Sequence, residues 1–382
     1  MKQLIAYNTT DLEALIITEK AADWQQKNFI STDKLSAIQR HYLTAFYTPN
    51  VFIRVGLFIF CSIVVFSVFG LFALMGFSEN GLGYNALFVG VGCFVGLELM
   101  IQSKHFKSGI DDALLYCGLG FIVGGLAFLL KLDADELPFY WTFLPLLIVA
   151  AVRYLDRLIA AVVFGFLLTI VVLTTLKFPT MDPSVLSFIL TFFAAIAYFF
   201  TQRAQKNVDF RFWKDALDVL EGLSLVVFYA SCNYYVLQQA NETFFDNPTV
   251  SLAPLFWFLT FFIPLFYIYQ GLRQRNRLTL SMGLLGIAVG VATFRYYFHV
   301  VPMEVAAILG GGVLLAFSYF SIQYLKRHTT PFTYAEDGEK PFYQQAESLI
   351  IAQSLGNATP HEDGKPQFGG GDFGGGGAGQ EF

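Results

Sequence analysis

Glu98 closes one apolar run of this 382-residue chain, Asp111 and Asp112 open the next, and Asp215, Asp218 and Glu221 step by threes into a third. Arg295 lies near the far end of a later run. An ionisable group in hydrocarbon is costly, so each is by default a place for a proton, a small cation or an ion pair. Position decides how much weight that default carries. Asp111 stands three after Ser108, and both Asp111 and Asp112 fall in a first helical turn, where the helix dipole favours negative charge. Asp215 has the same explanation. Glu98 sits in the last turns of its helix, where the dipole disfavours an anion, so it needs a cation from Lys104, Lys107 or another helix. An interfacial salt bridge is its favoured reading and a proton site the competing one.

Asp218 and Glu221 continue along the side of the helix that Asp215 begins, and only Glu221 is properly submerged. A solvated, salt-bridged helix entrance competes there with a proton or cation site open to the cytoplasm. Arg295 has Tyr296, Tyr297 and His299 beside it and Glu304 at the start of the next run. An Arg295–Glu304 pair with an interfacial tyrosine belt accounts for the group. The alternative is an anion-attracting vestibule in which His299 titrates near neutrality. Together Glu98, Glu221, Asp218 and Arg295 are the candidate intramembrane polar site.

The elements that position these groups follow from composition. The chain is 55% hydrophobic, 17% aromatic and only 14% charged, which belongs in a bilayer. A span takes roughly 20 mainly apolar residues, because only a helix satisfies its own backbone there. Runs near 52–76, 83–102, 110–131, 138–154, 156–177, 184–202, 216–238, 252–271, 278–299 and 303–325 meet that requirement. The fold class expected is therefore an all-α integral membrane protein of about ten transmembrane helices. Residues 1–50 form a cytoplasmic hairpin, 51–326 the membrane domain and 327–382 a polar, Gly-rich cytoplasmic tail.

Alternate loops hold Lys104, Lys107, Arg153, Arg157, Arg203, Lys206, Arg211, Lys214, Arg273, Arg275 and Arg277, whereas the opposite loops hold only Lys131 and Lys177 among acids such as Asp133, Glu136 and Asp182. The positive-inside rule then places both termini in the cytoplasm. The first fifty residues lack a signal-peptide pattern. They read as two short amphipathic helices, one with Leu12, Leu15, Ile16 and Trp24 on a face, the other with Leu35, Ile38, Tyr42 and Phe46. A Trp-bearing leading hairpin (Trp24), a Phe29-Ile30-Ser31 loop and Arg54 opening the first span resemble a family of bacterial predicted membrane proteins of unknown function. The resemblance covers roughly the first 75 residues. It implies a bacterial inner-membrane setting and brings no activity or catalytic residue with it.

Order-preserving matches run between spans three to six and seven to ten. Asp112-Ala113-Leu114 matches Asp215-Ala216-Leu217; Pro138 and Trp141 match Pro254 and Trp257; Asp156-Arg157-Leu158 matches Asn276-Arg277-Leu278; and the runs from Pro183 and Pro302 share their apolar spacing. We expect a tandem four-helix repeat in parallel orientation, 109–203 and 214–326, after an extra pair of spans. Gly92-x-x-x-Gly96, Gly120-x-x-x-Gly124 and Gly286-x-x-x-Gly290 are expected to bring helix backbones together.

Several functions lose support. No Walker motif, H-E-x-x-H or G-x-S-x-G occurs, the basic residues are confined to orientation-setting loops, and Cys61, Cys93, Cys117 and Cys232 lie in apolar runs without metal spacing. The sequence therefore points to no cofactor, metal or nucleic acid, and an enzyme on a lipid-borne substrate ranks third. Passage or sensing of a small solute or ion between the repeats leads. A non-transporting scaffold that recruits protein partners through its hairpin and tail is the alternative.

Overall fold

The structure is a computed structural model that describes residues 4–27, 29–43, 45–74, 81–178, 183–245, 249–274 and 276–298, with isolated positions 312, 315, 319, 320 and 323. Among the described residues it is all helical, apart from an isolated bridge between Tyr47 and His105. Eight helices are long and apolar enough to cross a membrane. They are α3 (Val51–Leu74), α4 (Gly81–Gln102), α5 (Ile110–Leu130), α6 (Leu137–Tyr154), α7 (Arg157–Leu176), α8 (Pro183–Gln205), α11 (Ala253–Gln274) and α12 (Arg277–Tyr297). The tenth expected span, 303–325, lies outside the described residues except at positions 312, 315, 319, 320 and 323, all helical.

The seventh expected span is not one helix. It divides into α9 (Lys214–Cys232) and α10 (Tyr234–Phe245), with extended backbone at Asn233. The reading across 216–238 is corrected for a physical reason: Asn233 is a helix-capping residue type, and its side chain substitutes for the interrupted ladder. Its Oδ1 accepts from the Tyr235 and Val236 amides at 3.0 and 3.3 Å, while its Nδ2 donates to the Tyr229 and Thr293 hydroxyls at 3.2 Å each. The Tyr234 amide donates to Thr260 Oγ1, and the Ser231 carbonyl accepts from the Ser187 hydroxyl. Non-helical backbone at membrane depth persists only where protein groups pair with it in this way. Asn233 is wholly buried.

Neighbouring helices pair as antiparallel hairpins: α4 with α5, α6 with α7, α8 with α9 and α11 with α12. Helix α3 packs on α5, and α7 on α9. Glycine makes the tightest seams, though at different positions from those expected. A Cβ on Gly90 would lie 2.7 Å from Ile122, and one on Gly125 would lie 2.9 Å from the Gly83 carbonyl, whereas Gly92, Gly120 and Gly124 face open space. The working spacing on the α4–α5 seam is seven, Gly83 to Gly90 and Gly118 to Gly125, which keeps small residues on one face of each helix. Gly286 does pack as expected, against Pro264 of α11.

One end of the bundle carries the basic loops, and the leading segment folds over it. Helix α1 (Thr9–Gln26) starts at an Asn8 cap and pairs with α2 (Thr32–His41), capped by Ser31. Ile5, Tyr7 and Leu12 are buried in the same cluster as Leu97, Phe106, Leu155 and Trp213. The Ala6 amide donates to the Arg153 carbonyl at 3.0 Å, and Tyr7 meets Phe106 edge to face. Asp11 pairs with Lys104 at 3.9 Å, and Glu13 with Arg211. Helix α2 buries no residue, and Trp24 is exposed, so only the first helix of the hairpin is part of the core.

Candidate functional site

Helix α9 brings Asp215, Asp218 and Glu221 onto one side because its residues three apart share a face. A short 3₁₀ helix, Val208–Trp213, precedes it and is anchored by the Trp213 indole N–H on the Val152 carbonyl at 3.0 Å. That anchor fixes how far α9 is inserted, and the three carboxylates end in different surroundings. Asp215 is exposed and pairs with Lys107 at 2.6 Å. Asp218 is half-buried and accepts from Gln205 Nε2 at 3.1 Å. Glu221 is 2% exposed.

The Glu221 carboxylate is held by three side-chain amides from two other helices. Gln202 Nε2 and Asn276 Nδ2 donate to Oε1 at 2.8 Å each, and Gln205 Nε2 donates to Oε2 at 2.9 Å. Asn276 is doubly used, since its Oδ1 caps α12 by accepting from the Leu278 and Thr279 amides at 3.0 and 3.3 Å. Among the described residues no Lys or Arg pairs with Glu221. The buried Thr279 hydroxyl, in the first turn of α12, lies beside Tyr198 and has no partner at hydrogen-bonding geometry among the described residues.

Energetics single this site out. Leaving a carboxylate ionised in a dry interior costs several kcal/mol after relaxation, whereas hydrogen bonds to a charged group return about 1.5–3 kcal/mol each. Three neutral donors orient the group without cancelling its charge. What the cage offers a proton or small cation is an oriented carboxylate with no ion-pair partner among the described residues.

Glu98 differs in every respect. The cation it needs comes from Arg153 at the end of α6, whose Nη2 and Nε donate to Oε1 at 2.7 and 3.2 Å, and Tyr154 adds its hydroxyl at 2.9 Å. The two side chains are 38% and 41% exposed. Lys104 and Lys107, the nearer candidates in sequence, are turned instead to Asp11 and Asp215. The four candidate residues thus do not converge. Asp218 and Glu221 share Gln205, Glu98 has a separate set of partners, and Arg295 lies 19 residues beyond Asn276, about 28 Å along α12 at 1.5 Å per residue. Arg295 is half-buried and makes no ion pair among the described residues; His299 and Glu304 lie outside them.

A second polar cluster was not singled out as a site from the sequence. Arg54 donates to Asp112 through Nε and Nη2 at 2.8 and 2.7 Å, and the Tyr116 hydroxyl donates to Asp156 at 2.8 Å. Gly109, at φ 95°, allows the start of α5 to sit against the Arg54 backbone, where a Cβ would collide. Asp111 turns back to the Ser108 amide and hydroxyl at 2.8 and 2.9 Å, the capped start expected of it. Burial, with Asp111 and Asp112 nearby, pushes the Tyr7 phenol well above its ordinary range. An arginine four residues into an apolar span was the available signal, and it implied a buried acid on another helix.

No protein-family model, no curated protein and no solved structure matches this chain.

Proposed function

We propose that this is a ten-span protein of the bacterial inner membrane, with both termini cytoplasmic, that passes or senses a proton or small cation at Glu221. The observation that carries the reading is the buried Glu221 carboxylate, surrounded by the amides of Gln202, Gln205 and Asn276 and paired with no cation among the described residues. Asp218, one turn nearer the basic end and sharing Gln205, is the next carboxylate on the route in. The cytoplasmic assignment rests on the gathering of Lys104, Lys107, Arg153 and Arg211 at one end.

Packing favours the tandem repeat. A shift of four spans carries the α6–α7 contact of the first unit onto α11–α12 of the second, and the contacts α3–α5 and α4–α5 that the leading pair makes with the first unit onto α7–α9 and α8–α9. In both halves a side chain of the first helix bonds the N-cap residue of the third: Tyr116 with Asp156, and Glu221 with Asn276. Glu221 thus makes a link in its unit of the kind Tyr116 makes in the other, and with Gln202 and Gln205 on α8 of the first unit and Asn276 capping α12 of the second, the cage lies where the two proposed units meet.

The test is flux. Protein in vesicles loaded with a pH-sensitive or a sodium- and potassium-sensitive dye should equilibrate protons or one of those cations. Glu221→Gln should abolish that flux while leaving the protein folded, and Glu98→Gln should retain it. Equal flux through wild type and Glu221→Gln would remove the passage reading.

The scaffold alternative draws on exposed Trp24 and Phe29 at the hairpin tip. Deleting the whole hairpin would not test it cleanly, because Ile5, Tyr7 and Leu12 are core residues. Trp24→Ala with Phe29→Ala removes the surface and spares the core.

A further inference from the structure

A cavity of about 270 Å³ opens at the basic end between the starts of α3, α5, α7 and α9. Its lining holds three cations, Arg54, Lys107 and Arg157, and three carboxylates, Asp112, Asp156 and Asp215. Two pairs are already closed, Arg54 with Asp112 and Lys107 with Asp215. Among the described residues, one charge of each sign is left without an oppositely charged partner. Asp156 accepts from the Tyr116 hydroxyl and the Ile159 amide, both neutral. Arg157, the next residue, is exposed and close enough to Asp215 to feel its charge, yet makes no ion pair of contact length among the described residues.

The rim of this cavity is apolar on one side. Val55 of α3 and Leu158 of α7, both lining residues, are 51% and 53% exposed on helices apolar enough to cross the membrane. The cavity thus joins a charged floor to a lipid-facing crevice, the arrangement an amphiphile fills with its headgroup inward and its chains along the helices. An anionic headgroup would meet three carboxylates along with the three cations. A headgroup carrying both charges, a phosphate and an ammonium two carbons away, satisfies Arg157 and Asp156 together.

We propose that this cavity is a binding site for a membrane phospholipid with a zwitterionic headgroup ending in a primary ammonium, the phosphate on Arg157 and the ammonium donating to Asp156. A primary ammonium has N–H donors for the carboxylate, which a trimethylated one lacks. The site is distinct from the Glu221 cage and does not depend on it.

The test is lipid retention by the full chain. Protein purified from nanodiscs containing equal amounts of phosphatidylethanolamine, phosphatidylglycerol and phosphatidylcholine should carry phosphatidylethanolamine preferentially, read by native mass spectrometry. Arg157→Gln and Asp156→Asn should each reduce that retention about tenfold, the loss of one hydrogen bond to a charged group. Asp156→Asn keeps a capping residue on α7, as Asn276 caps α12, and Arg157 is exposed, so both variants should melt like wild type. Equal retention of phosphatidylglycerol would mean attraction by the cations alone and would overturn the proposal, as would equal retention of phosphatidylcholine. Unchanged retention in Arg157→Gln would place the lipid elsewhere. Stabilisation of delipidated protein by soluble glycerophosphoethanolamine to the same degree as by the lipid would overturn the membrane source.

Discussion

Glu98 and Glu221 are the same residue near the same end of the bundle, and the structure handles them in opposite ways. Glu98 lies about one turn from the end of α4, reaches the surface and meets an arginine and a tyrosine hydroxyl. Glu221 lies about two turns inside α9, is sealed from solvent and among the described residues is hydrogen-bonded by amides alone. Depth explains part of the contrast, since an exposed pair gains little from its Coulomb attraction and an isolated buried charge loses much. The rest is partner chemistry. An arginine supplies a counter-charge, whereas the amides around Glu221 supply hydrogen bonds alone.

The contrast breaks most visibly if Glu221 is truncated. Glu221→Ala leaves three half-buried amide donors without their acceptor, each at the lower end of the about 1–3 kcal/mol range, so unfolding in mixed micelles should show a loss of about 3–4 kcal/mol. Glu221→Gln, which keeps the shape, should cost clearly less. Next comes the α9–α10 break. Asn233→Ala removes a cap and two buried hydrogen bonds, and should lower stability by about 2–4 kcal/mol, with faster hydrogen exchange at Tyr235 and Val236. Filling the α4–α5 seam with Gly90→Val should cost about 1–3 kcal/mol by overpacking, while Gly92→Val, facing open space, should be nearly silent in the same assay. The smallest effect belongs to the exposed pair: Arg153→Gln should cost at most about 1 kcal/mol, and added salt should shrink the difference further.

What could be read without coordinates followed from local chemistry. Eight expected spans overlap helices of the structure almost end to end, because twenty apolar residues have one way to cross hydrocarbon. Asp111 was legible as a cap, since a helix start and its capping acid are neighbours in the chain. Arg153 as the partner of Glu98 was not, being 55 residues away with two nearer lysines competing. Asn233 hid inside an apolar run, and the mark it left, Ser231-Cys232-Asn233 in succession, is weak beside the hydrophobicity around it. The glycine seams show a similar failure. Spacing of four drew attention to Gly92 and Gly120, but helix rotation, set by every contact along the seam, selected Gly90 and Gly118. Most telling is Gln202, Gln205 and Asn276, which as uncharged residues at helix ends carried no signal until Glu221 was seen among them.

The claim that Glu221 takes up and releases a proton or small cation is tested most directly by infrared difference spectroscopy of the purified chain. Spectra of wild type and Glu221→Gln would be titrated with pH and with sodium and potassium. The account predicts a carboxyl signal in wild type that responds to pH or to one of the cations and is missing from Glu221→Gln. A wild-type spectrum whose carboxyl signals respond to none of these, or respond identically in Glu221→Gln, would contradict it.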